Sequence, residues 1–242
     1  MSKALASRLA LVFVVAAPLF GGVALAQPKP GASVSAAPSA SSAPAPTTGL
    51  SAADVAAKVQ KAYDAITGYE ADFTQTYQAK AFGVDKKEHS GRVTFVKPGK
   101  MRWDYQAPKG NLVVSDGTTL WSYTPTENQA RKMAVKDSQM PTALAFLMGK
   151  GDLAKDFNIA FAAKQNMEGG YVLEAKPKVA TNLYQTVLFY IDGKTFHVIS
   201  VLIQDPQDNR NKFVFKKATV NGKIEASVFT WTPPKGVTVV TN

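Results

Sequence analysis

The feature that most constrains this chain is a period of two. From Lys100 to Tyr105, Met101, Trp103 and Tyr105 share one side while Lys100, Arg102 and Asp104 take the other. Successive side chains of a strand point to opposite faces, so this alternation predicts an antiparallel sheet with one apolar and one wetted face. The same period runs through Arg92 to Val96. It also runs through Glu70 to Tyr77, where Ala71, Phe73, Gln75 and Tyr77 share a face. Three Asx-Gly pairs, Asp116-Gly117, Asp192-Gly193 and Asn221-Gly222, follow such stretches. Each predicts a type I′ hairpin turn, in which both central residues take positive φ. Consecutive hairpins make a meander.

Two segments depart from this period. Ser51 is placed to cap a helix, with Asp54 in its first turn and Val55, Val59, Ala62 and Ile66 at helical spacing before Gly68. Later, Pro141 opens a run in which Ala143, Leu144, Phe146, Leu147 and Met148 precede Gly149 almost without a polar residue. A short helix that is apolar nearly all round has to be covered on most sides. The expected architecture is therefore mainly β with helices (α+β): a curved antiparallel sheet whose apolar face is covered by the first helix and this insert.

The fold occupies only part of the chain. Lys3 and Arg8 precede the apolar run Leu9 to Phe20 and the small-x-small site Ala24-Leu25-Ala26, the layout of a cleaved secretory signal peptide over 1–26. The run counts twelve residues, short of the roughly 20 that a spanning helix needs. Residues 27–49 are mostly Ala, Ser, Pro and Thr, a composition that cannot bury enough surface to order itself, and they read as a flexible tether. Residues 50–242 are expected to form a single domain. Without the signal peptide the chain carries 26 basic and 18 acidic residues, a net charge of +8. This charge is dispersed and not interleaved with aromatics, which argues against a nucleic-acid site. Weak attraction to anionic lipid or to an acidic partner is compatible with it. With no cysteine, the exported domain must hold its fold by its core alone.

The chain offers few residues for covalent or metal chemistry. Beyond the leader only His89 and His197 offer imidazoles, so a zinc site of the usual kind lacks ligands. His197 is expected in a strand, as a structural or solvent-facing residue. No nucleophile elbow, phosphate loop or dinucleotide fingerprint is present. Asp205 and Asp208 fall in a stretch rich in Pro and Asn, which reads as a polar turn and not as a catalytic pair. The expectation is a protein without catalytic residues, metal or cofactor.

The stretch Leu112-Val113-Val114-Ser115-Asp116-Gly117-Thr118-Thr119-Leu120-Trp121-Ser122-Tyr123-Thr124-Pro125 resembles the LolA family of periplasmic outer-membrane lipoprotein carriers. Phe73-Thr74-Gln75, Lys97-Pro98 leading into Met101-Arg102-Trp103, and Phe229-Thr230-Trp231-Thr232-Pro233-Pro234-Lys235-Gly236-Val237 fall in that family's order, so the resemblance spans about 50–242. It implies an incomplete antiparallel β-barrel with a helical lid and an apolar cavity. The implied function is a periplasmic carrier that shields the acyl chains of triacylated lipoproteins. Such a carrier takes them from an inner-membrane ABC-type exporter and passes them to the outer membrane, with transient membrane contact, as a monomer. Whether a dedicated outer-membrane receptor serves it stays open. A lipid-sensing regulator on the same scaffold, or a carrier of another lipid, is the alternative.

On this reading the cavity wall is Phe73, Phe95, Met101, Trp103 and Tyr105, and the lid is Leu144, Phe146, Leu147 and Met148. Any one of these could equally be ordinary core. The family pattern commonly has an arginine just before the proline that precedes the Met101 strand, where it latches the lid through backbone carbonyls. Lys97 holds that place here and inherits the latch role, with a point charge in place of a planar fork.

Overall fold

In a computed structural model, residues 49–80, 86–138, 146–147 and 151–241 are described. The expected signal peptide, nearly all of the tether, and Leu144 and Met148 of the expected lid lie outside them. Helix α1 (Ala52–Asp64) opens the fold. Ser51 and Asp54 form a reciprocal capping box at its start, and Val55, Ala56, Val59 and Tyr63 form its buried stripe. Strands β1 (Gly68–Gln78), β2 (Lys86–Val96), β3 (Lys100–Ala107), β4 (Leu112–Asp116), β5 (Thr119–Thr124) and β6 (Gln129–Ala134) follow as an antiparallel meander.

After Phe146-Leu147 and the one-turn helix α2 (Leu153–Asp156) comes a second meander. Its strands are β7 (Phe157–Phe161), β8 (Gly170–Pro177), β9 (Thr186–Asp192), β10 (Val198–Gln204) and β11 (Arg210–Val220). Antiparallel pairing of β1 with β11 joins the two meanders into one open sheet, of order β12-β6-β5-β4-β3-β2-β1-β11-β10-β9-β8-β7.

The sheet curls strongly. On a flat sheet β3 and β11, three strand spacings apart, would hold their side chains about 14 Å from one another. Here the rings of Trp103 on β3 and Phe213 on β11 approach to 5.5 Å between centroids. The inward face collects almost every large apolar side chain of the core. Gly91 permits this at one point: a Cβ there would sit 2.0 Å from the Asp104 carbonyl oxygen and 2.9 Å from the Phe73 ring, where the pairing of β2 with β3 shifts register.

Four details differ from the sequence reading. First, Asp116-Gly117 does connect a hairpin, β4 to β5, but only Gly117 has positive φ. The Asp116 carboxylate instead accepts the N–H groups of Thr118 and Thr119, each at 2.8 Å, and shapes the turn from its side chain. Second, Asp192 opens a longer loop by the same device, accepting from Lys194 and Thr195, with Phe196 in the left-handed region. His197 lies in that loop, outside the strand expected for it, beside Tyr63.

Third, Asn221-Gly222 makes no hairpin. Both sides of β11 are already paired, with β1 and β10, so a returning strand has no edge to join. Asn221, at positive φ, uses its side-chain oxygen to accept the Thr67 N–H at 2.7 Å, and its own N–H donates to the Gly68 carbonyl. Fourth, the sheet is not wholly antiparallel. The chain after β11 passes β3 and β4, then runs parallel to β6 as the edge strand β12 (Thr238–Thr241).

The expected turn at Asp205 holds: its carboxylate accepts from the backbones of Gln207 and Asn209, each at 2.9 Å. Because the Gly91 obstruction is backbone, a Gly91→Ala variant should lose about 3 kcal/mol of stability. Urea denaturation with an unchanged m-value checks this.

Candidate functional site

The five expected wall residues come together on the inward face. Phe73, Phe95, Met101, Trp103 and Tyr105 are each no more than 4% exposed. Alternation puts them there: Phe73 comes from β1, Phe95 from β2, and the other three from β3. Trp103 is the hub. Its ring centroid lies 4.9 Å from Phe73 and 5.8 Å from Phe95, both edge-on, and β11 adds Phe213 and Phe215. Edge-to-face packing of this kind suits aromatic quadrupoles. Phe213 and Phe215 were not singled out in the sequence, although they alternate with Lys212, Val214 and Lys216 at the same period.

The other half of the concave face is covered by helix. α1 packs on α2, β7 and β8. Of the expected lid, Phe146 and Leu147 are described, and both are buried. Phe146 bridges cover and sheet, with its ring centroid 4.9 Å from Tyr63 of α1 and 6.1 Å from Phe189 of β9.

Tyr63 is the point at which the cover is fastened. Its buried hydroxyl accepts the Val198 N–H at 3.2 Å, where the pairing of β10 with β9 shifts register. Burial raises the phenol well above its ordinary pKa, so it stays neutral. The Tyr63 carbonyl, in the last turn of α1, accepts from the Lys97 ammonium, which also reaches the Asp64 carbonyl at 3.4 Å. The Tyr63 carbonyl also accepts the Ile66 N–H at 3.1 Å, just past the helix, and a cation at this end matches the helix dipole. Desolvation lowers the Lys97 pKa, against the opposing pull of the Asp64 charge. Lys97 thus grips the carbonyl end of α1. The Tyr63 signal in the sequence was faint: a tyrosine on the apolar stripe of a helix otherwise built from valine and alanine.

Two segments of family resemblance meet on the other side of the sheet. Trp231 packs 5.5 Å from Trp121 and 5.3 Å from Tyr123 between ring centroids. Arg102 donates to the Val228 carbonyl at 3.1 Å while pairing with Asp104. The segment after β11 is therefore a strap across the outer face, continuous with β12.

Among the described residues no group of three or more His, Cys, Asp or Glu is arranged to hold a metal, and no helix is long and apolar enough to cross a membrane. A curled open sheet with its large apolar side chains turned inward beneath a fastened helix is the architecture of an incomplete-barrel binding protein. The chain belongs to the outer membrane lipoprotein carrier protein LolA family, whose profile matches residues 64–232.

An outer-membrane lipoprotein carrier protein of Chromobacterium violaceum is 30% identical over 171 residues, covering 70% of this chain and 79% of the relative. One of Klebsiella pneumoniae is 32% identical over 187 residues, covering 77% and 88%. A crystal structure of a LolA superfamily protein from Nitrosomonas europaea aligns with TM-score 0.44 and 10% identity, over 75% of this chain and 98% of that one.

If Tyr63 fastens the cover, Tyr63→Phe leaves the buried Val198 N–H without its acceptor. The variant should lose about 1–3 kcal/mol, with faster amide exchange at Val198 by NMR as the local signature.

Proposed function

We propose that this chain is a periplasmic carrier of lipoproteins, shielding their acyl chains against the concave face of its sheet and delivering them to the outer membrane. The observation that carries this reading is the inward face itself. Its apolar lining runs continuously from Phe95 and Trp103 to Phe189, under a cover held by a few polar contacts. Family membership supplies the cargo class and the direction of transfer. Each methylene buried contributes about 0.8 kcal/mol, so an acylated protein needs such a shield to cross an aqueous compartment.

The wall would be Phe73, Phe95, Met101, Trp103 and Tyr105, joined by Phe213 and Phe215, and the lid would include Phe146 and Leu147. In this conformation the rings fill the interior by packing on one another. Loading therefore needs the cover to lift, so that acyl chains replace ring-to-ring contacts and hydrophobic burial is exchanged rather than lost. That exchange keeps binding moderate, as a carrier that must release its cargo requires.

Lys97 is the latch in this scheme, acting on α1 through the carbonyls of Tyr63 and Asp64. An inner-membrane ABC-type exporter would load the carrier, and the task is binding and release without covalent chemistry. Native mass spectrometry of the protein purified from its own periplasm tests this: bound triacylated protein is expected, and a population carrying only free lipid would refute the cargo assignment. Lys97→Ala should alter the rate of lipoprotein loading or release severalfold while costing under about 1 kcal/mol of stability, the scale of a cation at a helix terminus. Unchanged transfer kinetics would remove Lys97 from the mechanism.

A further inference from the structure

The apolar interior contains one polar thread that the carrier reading does not use. The Tyr105 hydroxyl donates to Gln75 Oε1 at 3.0 Å, and Gln75 Nε2 donates to Asn211 Oδ1 at 3.0 Å. All three side chains are buried, at 4%, 5% and 9% exposure, and they come from β3, β1 and β11. Burial raises the Tyr105 phenol well above its ordinary pKa, so it remains a proton donor at any physiological pH.

Stability does not call for this arrangement. A satisfied buried network roughly breaks even against apolar residues of the same shape, and Phe, Met and Leu would suit the surrounding rings. The thread also has a direction. Donation runs from the phenol to Gln75 and on to Asn211 Oδ1, so among the described residues it ends at the Asn211 amide, whose nitrogen is a donor in turn. These two bonds use only one of the N–H groups that the two amides carry between them. At the Asn211 end a further partner that is an acceptor, such as a carbonyl oxygen, extends the thread in the same direction.

Its position matches an amphiphile's head. Asn211 is the second residue of β11 and pairs with Tyr77, close to the end of β1 at Gln78. Deeper along the same strands lie Phe73 and Phe213, then Trp103 and Phe95 across the curl. The opposite strand ends are those closed by Lys97, Thr67 and Asn221.

We infer that Tyr105, Gln75 and Asn211 form a carbonyl-reading site at the rim of the apolar interior. It binds the ester carbonyl at the head of a fatty-acyl chain whose hydrocarbon lies against Phe73 and Trp103. This rests on the carrier reading and deepens it: the protein distinguishes acyl esters from hydrocarbon of equal length.

The test uses the chain without its signal peptide and two synthetic lipopeptides. One carries ester-linked palmitoyl chains on its glyceryl group. The other carries ether-linked hexadecyl chains on the same peptide, and each is titrated below its aggregation threshold by isothermal calorimetry. The ester form should bind about tenfold tighter, the effect of one hydrogen bond of ordinary strength. Gln75→Met and Asn211→Leu should bring that ratio close to one while the ether form still binds.

Equal affinity of the wild-type protein for both forms overturns the site and leaves the carrier reading standing. Binding of neither overturns both. The wild-type ratio decides even if a variant fails to fold, and a ratio that survives in folded variants overturns the assignment to these residues. Competition by dihexanoyl phosphatidylcholine would show the same site accepting phospholipid esters, and failure to compete would assign it to the glyceryl linkage of the lipoprotein. Either result upholds a carbonyl site.

Discussion

Trp103 meets Phe213 across three strand spacings, and most of the architecture depends on that contact. Strands joined only by ladder hydrogen bonds are free to lie nearly flat. Rings large enough to touch over the concave side make curling favourable, because each approach removes aromatic surface from water and adds edge-to-face contact. Phe73 stands between them on β1, and Gly91 on β2 gives its ring the room it needs. The curl makes one face an interior, and the interior calls for a cover.

The cover is held by different chemistry. Helix α1 offers valine, alanine and one tyrosine to the sheet, a modest apolar stripe. It is fixed mainly at its C-terminal end, where Lys97 takes the carbonyls of Tyr63 and Asp64, the Tyr63 hydroxyl takes Val198, and Asn221 ties the following Thr67 to the end of β11. Directional polar contacts of this kind can be broken singly, whereas a ring cluster resists piecemeal opening. The division suits the proposed carrier, in which the sheet is kept and the cover moves. On the outer face the strap bearing Trp231 packs on Trp121 and Tyr123, so the outer side of β5 is not left bare.

Much of this was legible residue by residue. The alternation within β1, the Ser51 cap and the inward set Met101, Trp103 and Tyr105 follow from period and capping chemistry, which act over a few residues. Gln75 too was visible as the polar member of an apolar face. What it meets was not: Asn211 lies 136 positions away and Tyr105 lies 30 away on another strand. The Asn221-Gly222 turn was misread for a related reason, since a local turn signal carries no information on whether a neighbouring edge is free.

By itself, then, the sequence determined the alternating faces, the amphipathic first helix, which aromatic residues turn inward from β1 to β3, and the family. All of these are written in local spacing or in runs of residue types. The tertiary structure alone decided which rings converge, that Lys97 grips the end of α1, that the C-terminal segment returns parallel to β6, and that three polar side chains join into one thread. Each of these is a pairing between distant strands, set by sheet order and curvature, and no window along the chain contains both partners.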